Sequence, residues 1–252
     1  MCAASTINAQ VINVDFQPGG AGGGSSSNYT GQGAYLDPGN NTWNHIAPST
    51  DGSFNGGAGT GGFFNFSGDP LHSGPLVDDT GAATGISLDV FKGAPDGAFA
   101  VSTSSGTYPN IATNAAALMS DYLISMNRSA SNPLFVNING LSTNATYDLY
   151  LYGAGDQSIR NTSFTIAGFG TQTTTGVPGG AHSLTLGEDY VVFSNVTAAA
   201  GFIGVGYYSG GNSTEGEFNG FQLVVVPEPT TGSLVLAAIF ASGTLLKFRR
   251  RS

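Results

Sequence analysis

LFVNINGLSTNATYDLYLYG, residues 134–153, is the stretch that decides the fold. Leu134, Val136 and Ile138 alternate with Asn137 and Asn139, and Tyr147, Leu149 and Leu151 alternate around Asp148. A period of two puts one side of each run toward an apolar interior and the other toward water, the mark of half-buried strands. Gly140 and the small polar residues after it are the turn between them. The same signature recurs on both sides. Upstream, Ile12, Val14 and Phe16 share one face of a first strand, and Ile86, Leu88 and Val90 alternate with Ser87 and Asp89. Downstream come Phe164 with Ile166, Leu184 with Leu186, and the runs 190–196, 202–208 and 218–226. Residues 29–34 and 42–47 read as short strands around the turn Asp37-Pro38-Gly39-Asn40. Many short strands between turn signals predict an all-β, antiparallel β-sandwich over residues 11–226. One segment breaks the pattern. After the candidate cap Asn114, the residues Ala115, Leu118, Met119, Tyr122, Leu123 and Met126 recur at helical spacing and predict one short helix closing an end of the sandwich, with its methionines and tyrosine in the core.

Composition narrows the function classes. Of 16 acidic residues only Glu228 lies outside the body, and of seven basic ones only Lys92, Arg128 and Arg160 lie inside it, so three cations face fifteen anions. A body so acidic excludes nucleic acid as an expected partner. Cys2 is the only cysteine, which leaves no disulfide framework and no thiolate metal site. With 39 glycines and few lysines the chain has the composition of an extracellular protein of strands and turns. Residues 18–27 and 51–62 are glycine-rich surface loops. Within the second, Gly57, Gly59 and Gly62 match G-x-G-x-x-G, but no strand feeds the match and no helix follows, as pyrophosphate binding requires.

The C-terminal 26 residues or so have three consecutive segments. Pro227-Glu228-Pro229 fixes φ at two positions and removes two backbone donors, so it stands out as an extended peptide. Residues 230–246 carry no charge and are mostly apolar, about 17 residues or ~25 Å of helix, the short end of a bilayer span. Lys247, Arg249, Arg250 and Arg251 then form a cationic stop that keeps this end in the cytoplasm and the body outside. A buried core helix would neither follow a rigid Pro-Glu-Pro nor end in four cations. In this order of segments the tail resembles the PEP-CTERM sorting signal of exopolysaccharide-producing bacteria. The resemblance implies exosortase as a processing partner, a transient stay in the inner membrane, a final place at the cell surface or outside the cell, and exopolysaccharide as a candidate partner. Residues 1–10 read as the remnant of a signal peptide, with Ala3-Ala4-Ser5 and Ile7-Asn8-Ala9 as its small-residue end, a cut after Ala9 and a true start upstream of Met1.

Two stretches of the body, Ile138-Asn139-Gly140-Leu141 running into residues 146–153 and Phe218-Asn219-Gly220-Phe221-Gln222-Leu223, resemble the β-sandwich bodies of planctomycete-like and verrucomicrobial secreted proteins. They are also similar to jelly-roll modules of the galactose-binding-like kind, which implies a carbohydrate-binding alternative to a structural or adhesive role. On that alternative Trp43 or the loop tyrosines Tyr35, Tyr108 and Tyr208 stack on sugar rings beside loop acids, and calcium is the one candidate cofactor. Trp43 and the turn acid Asp156 are the named candidate contacts.

Catalytic chemistry finds few footholds. His45, His72 and His182 are far apart and flanked by turn residues, with no metal-ligand spacing, and read as surface or structural histidines. There is no G-x-S-x-G elbow. Carboxylate pairs such as Asp78 with Asp79, Glu188 with Asp189, and Glu215 with Glu217 are what a glycosidase could use, and no acid and base can be named among them. An enzyme is not expected.

Overall fold

In the computed structural model the structure describes residues 9–16, 19–20, 29–37, 41–48, 54–55, 59–60, 62–64, 70–91, 99–103, 112–155, 160–176, 182–211 and 215–227. The strands are β1 (Val11–Phe16), β2 (Gly19–Gly20), β3 (Trp43–Pro48), β4 (Phe54–Asn55), β5 (Gly59–Thr60), β6 (Gly62–Phe64), β7 (Leu71–His72), β8 (Ser87–Phe91) and β9 (Phe99–Thr103). They continue with β10 (Asp121–Met126), β11 (Leu134–Asn139), β12 (Thr146–Tyr152), β13 (Thr162–Ile166), β14 (Gly170–Thr173), β15 (Tyr190–Thr197), β16 (Phe202–Ser209), β17 (Glu215–Phe218) and β18 (Gly220–Val226). One helical turn, α1 (Ala116–Met119), follows a 3-10 turn at Thr113–Ala115.

A first six-stranded sheet has the order β15-β12-β18-β1-β3-β4 and a second the order β14-β13-β16-β11-β8-β7. Their facing sides build one core. The first sheet supplies Ile12, Val14, Phe16, Leu149, Leu151, Phe193, Phe221 and Leu223, and the second supplies Leu88, Val90, Val136, Ile138, Phe164, Ile203, Val205 and Tyr207. A four-stranded sheet, β17-β10-β9-β6, adds Leu123 and Phe218 to the same core. Alternation read the inward residues correctly here: β11 buries Leu134, Val136 and Ile138, and β12 buries Tyr147, Leu149 and Leu151. The connection between these strands needs Gly140, whose φ is 80° and where a Cβ would collide with the Gly85 carbonyl. Both conditions admit glycine alone.

Five expectations are corrected. The predicted helix is a single turn, because residues 121–126 form β10 instead. That strand is covered on both faces, with Leu123 in the main core and Tyr122 and Ile124 in a patch of their own, so its continuous apolar run accommodates a 3.6 period without being helical. Met119 and Tyr122 are nevertheless buried, as expected. Residues 29–34 make no strand and residues 184–186 make only an isolated bridge between Leu186 and Tyr190. The run 218–226 is broken at Asn219, where the chain passes from the four-stranded sheet into the first one. The sheets are antiparallel except where β1 runs parallel to β3 and β2 parallel to β5.

Strand β1 lies between β18 and β3, and Val225 N–H donates to the Gln10 carbonyl at 2.9 Å. Because β1 and β18 are antiparallel, the segments entering and leaving the body emerge side by side at one end of the sandwich. Among the described residues no helix is long and apolar enough to cross a membrane, and the span expected at residues 230–246 lies outside them.

Candidate functional site

All six residues of β1 are buried, including Asn13 and Asp15 on the face turned away from the core. What covers that face is the segment 29–37 together with α1, and beneath them a second apolar cluster gathers Tyr29, Trp43, Ala115, Leu118, Met119 and Tyr152. The segment is fastened by one side-chain amide. Gln222 Oε1 accepts from Tyr35 N–H at 2.9 Å and from the Tyr152 hydroxyl at 2.5 Å, and its Nε2 donates to Asn13 Oδ1 at 2.9 Å and to the Tyr35 carbonyl at 3.2 Å. Both donors and both acceptor sites of the amide are therefore used. The Tyr152 hydroxyl accepts in turn from Ala34 N–H at 2.7 Å. Gly33 has to be glycine here, since a Cβ would run into the Gln222 amide.

Asn219, just before β18, makes a comparable joint. Its Nδ2 donates to the carbonyls of Met119 at 2.9 Å and Asp121 at 3.0 Å, while its Oδ1 accepts from Ala154 N–H at 2.9 Å. The polar letters of Phe218-Asn219-Gly220-Phe221-Gln222-Leu223 are thus buried joints between sheet, helix and covering segment. Sequence reasoning missed them because a polar residue inside an alternating run is ordinarily assigned to water.

Six aromatic rings cross the covered face in a row. Tyr29 meets Trp43 at 4.9 Å edge to face, Trp43 lies 6.4 Å from Tyr152, Tyr152 5.8 Å from Tyr190, Tyr190 6.3 Å from Tyr150, and Tyr150 5.7 Å from Tyr35. Burial grades along the row. Trp43, expected as a ligand contact, is only 5% exposed, with its Nε1 donating to the Gly31 carbonyl at 2.9 Å and its ring closed over by Tyr29. It is a core residue. Tyr35, Tyr150 and Tyr190 are half-buried. Desolvation raises the hydroxyls of all three above the usual tyrosine range and pushes Tyr29 to about 12, so these phenols stay neutral donors at any physiological pH. Tyr208 is half-buried on the outer face of the second sheet, while Tyr108 and Asp156 lie outside the described residues.

The titratable groups form separate small pairs. His45 Nδ1 lies 3.1 Å from Asp15 Oδ2, His72 Nδ1 2.6 Å from Asp89 Oδ1, and His182 Nε2 2.9 and 3.1 Å from the two oxygens of Asp189. Burial raises Asp189 despite the histidine and the Thr185 N–H that oppose the shift. Of the carboxylate pairs considered for a glycosidase, Glu215 and Glu217 share Arg160 at 2.8 and 3.4 Å. Asp78 closes its own turn by accepting from Thr80 N–H, the Thr80 hydroxyl and Ala82 N–H, at 3.0, 2.6 and 3.0 Å. Among the described residues no group of three or more His, Cys, Asp and Glu side chains is placed to hold a metal ion. Of the tail, Pro227 is described and is exposed at the end of β18, whereas Glu228, Pro229, Lys247, Arg249, Arg250 and Arg251 lie outside the described residues. No protein-family model matches the chain, and no curated protein matches it.

Proposed function

We propose that this chain is an exported protein of the bacterial cell surface or extracellular matrix, with a structural or adhesive sandwich of jelly-roll, galactose-binding-like type. Residues 227–252 are its PEP-CTERM sorting signal, processed by exosortase after a transient stay in the inner membrane. The observation that carries this reading is the order of Pro-Glu-Pro, an uncharged apolar span and a cationic end. It is supported by β18 ending at Val226 with Pro227, the first residue of the motif, exposed. The jelly-roll type is supported by a chain that passes from the second sheet to the first and back at β11, β12 and β13, and again at β15 and β16. In cells with an active exosortase, the intact mass of the surface-bound protein should correspond to loss of residues 230–252. The double variant Pro227→Ala, Pro229→Ala should keep them, because a continuous helix would bury the scissile region. A wild-type mature form that still carries the tail would make it a permanent anchor and sink the sorting reading.

A second reading, a carbohydrate-binding module, is favoured by the half-buried row Tyr35–Tyr150–Tyr190, since sugar faces stack on accessible rings. On a glycan array Tyr150→Ala should lower binding by roughly 10-fold or more, a loss of about 1.5 kcal/mol or greater. Equal binding by the variant, or no glycan bound by the wild type, would leave the body a structural one.

A further inference from the structure

The turn carrying Asp78 and Asp79 is tied to the rest of the body through its backbone. Asp79 N–H donates to the Val11 carbonyl at 2.9 Å, and Thr42 N–H donates to the Asp79 carbonyl at 3.0 Å. This fixes Asp79 between the start of β1 and the chain entering β3, with its residue only 3% exposed. Its carboxyl is in hydrogen-bonding contact with that of Asp37, the last described residue of the covering segment, yet Oδ2 of Asp79 has no hydrogen-bond donor among the described residues. Burial first, then Asp37 and the charge of Asp78, push Asp79 up to about 7 against the smaller opposing effect of its own backbone N–H. Close by, the Tyr35 phenol feels Asp37, Asp79 and Asp148 together. The other two acids are engaged, Asp78 within its turn and Asp148 by Asn195 N–H at 2.8 Å. The two described arginines act elsewhere, Arg160 on Glu215 and Glu217 and Arg128 on Tyr207.

Two carboxyls in contact, one of them buried with an oxygen left over, are stable only if something positive lies between them. That can be a shared proton or a metal ion, and carboxylate oxygens are hard ligands of the kind alkaline-earth cations choose. We propose that Asp37 and Asp79 bind a calcium ion that clamps the covering segment 29–37 to the edge of the first sheet. The two carboxylates provide up to four of the roughly 6–8 oxygens calcium takes, and main-chain carbonyls and water complete the shell. With so few charged ligands the site belongs to the weak class typical of extracellular modules, with dissociation constants of about 10⁻⁴–10⁻³ M. The site does not depend on the sorting reading, and its failure would leave that reading untouched.

The test is thermal unfolding of the full chain in detergent at neutral pH, first stripped with EDTA and then supplied with calcium or magnesium. Calcium at about 100-fold above its dissociation constant should raise Tm by roughly 5–10 °C. The shift should vanish in Asp79→Asn and in Asp37→Asn, each checked for a native β spectrum by circular dichroism. Terbium, replacing calcium and excited through tyrosine, should luminesce with the wild type, be displaced by calcium, and stay dark with either variant. Three results would overturn the proposal. The first is a Tm indifferent to calcium that climbs as pH falls below neutral. A raised carboxyl pKa contributes stability that is complete below the unfolded value near 4 and lost as pH rises through about 7, so that result would mean a shared proton. The second is a calcium shift that survives in both variants. The third is an equal shift with magnesium, which would remove the calcium assignment.

Discussion

Phe218→Ala should lower the unfolding free energy by about 3–5 kcal/mol, a large fraction of the total stability of an ordinary domain. Phe218 is fully buried where the three larger sheets converge, with the rings of Phe164, Phe16 and Tyr207 at 4.9, 5.1 and 5.3 Å and Phe221 at 6.4 Å. The first two contacts are edge to face, the arrangement aromatic quadrupoles favour, so truncation opens a cavity and also removes oriented ring pairs. Rigid strands on all sides leave little room for collapse. Urea unfolding followed by Trp43 fluorescence measures the loss, and Phe202→Ala is the internal control, because that ring is 43% exposed and its removal should change stability by no more than about 0.5 kcal/mol. Equal costs for the two substitutions would contradict the placement of the core.

Gln222→Leu should cost on the order of 3 kcal/mol or more, although it replaces a polar residue in a buried position by an apolar one of similar size. The cost comes from what is left behind: Tyr35 N–H and C=O, the Tyr152 hydroxyl and Asn13 Oδ1 all lose a partner, at about 1–3 kcal/mol for each group that water cannot reach. The damage should be local. Hydrogen exchange ought to accelerate at Ala34 and Tyr35 while Ile203 and Val205, in the core of the second sheet, keep their protection. Unchanged exchange at residues 33–36 would show that the covering segment is held by its apolar contacts alone.

Strands with one dry and one wet face were legible in the sequence. Residues 87–91, 134–139 and 146–151 gave up their inward sides by alternation because burial there alternates too, until Tyr152 passes under the covering layer. Legibility failed wherever a third layer covers the sheet. Asn13, Asp15 and Gln222 sit at positions a two-layer sandwich would expose, and the segment 29–37, itself without regular structure, makes them interior together with α1. Nothing local marks such a segment, because its hydrogen bonds go to side chains far away in the chain. For the same reason Trp43 read as a candidate platform when it belongs to the floor, and the half-buried tyrosines lie at the other end of the row. The pairing of Asp37 with Asp79 joins two turns whose closeness depends on β1 standing beside β3, which no spacing could reveal.

The neighbouring positions of β1 and β18 also set the order in which this body can assemble. The contact from Gln222 to Asn13 spans 209 residues, and β18 is the strand that joins β12 to β1. Until the last residues of the body are available, the first sheet remains two unconnected halves, and the loop that must close to unite them is almost the whole chain. Such a topology has high contact order, which slows completion of the first sheet and ties it to the arrival of residues 220–226. The first sheet is therefore closed last, when the two ends of the body meet.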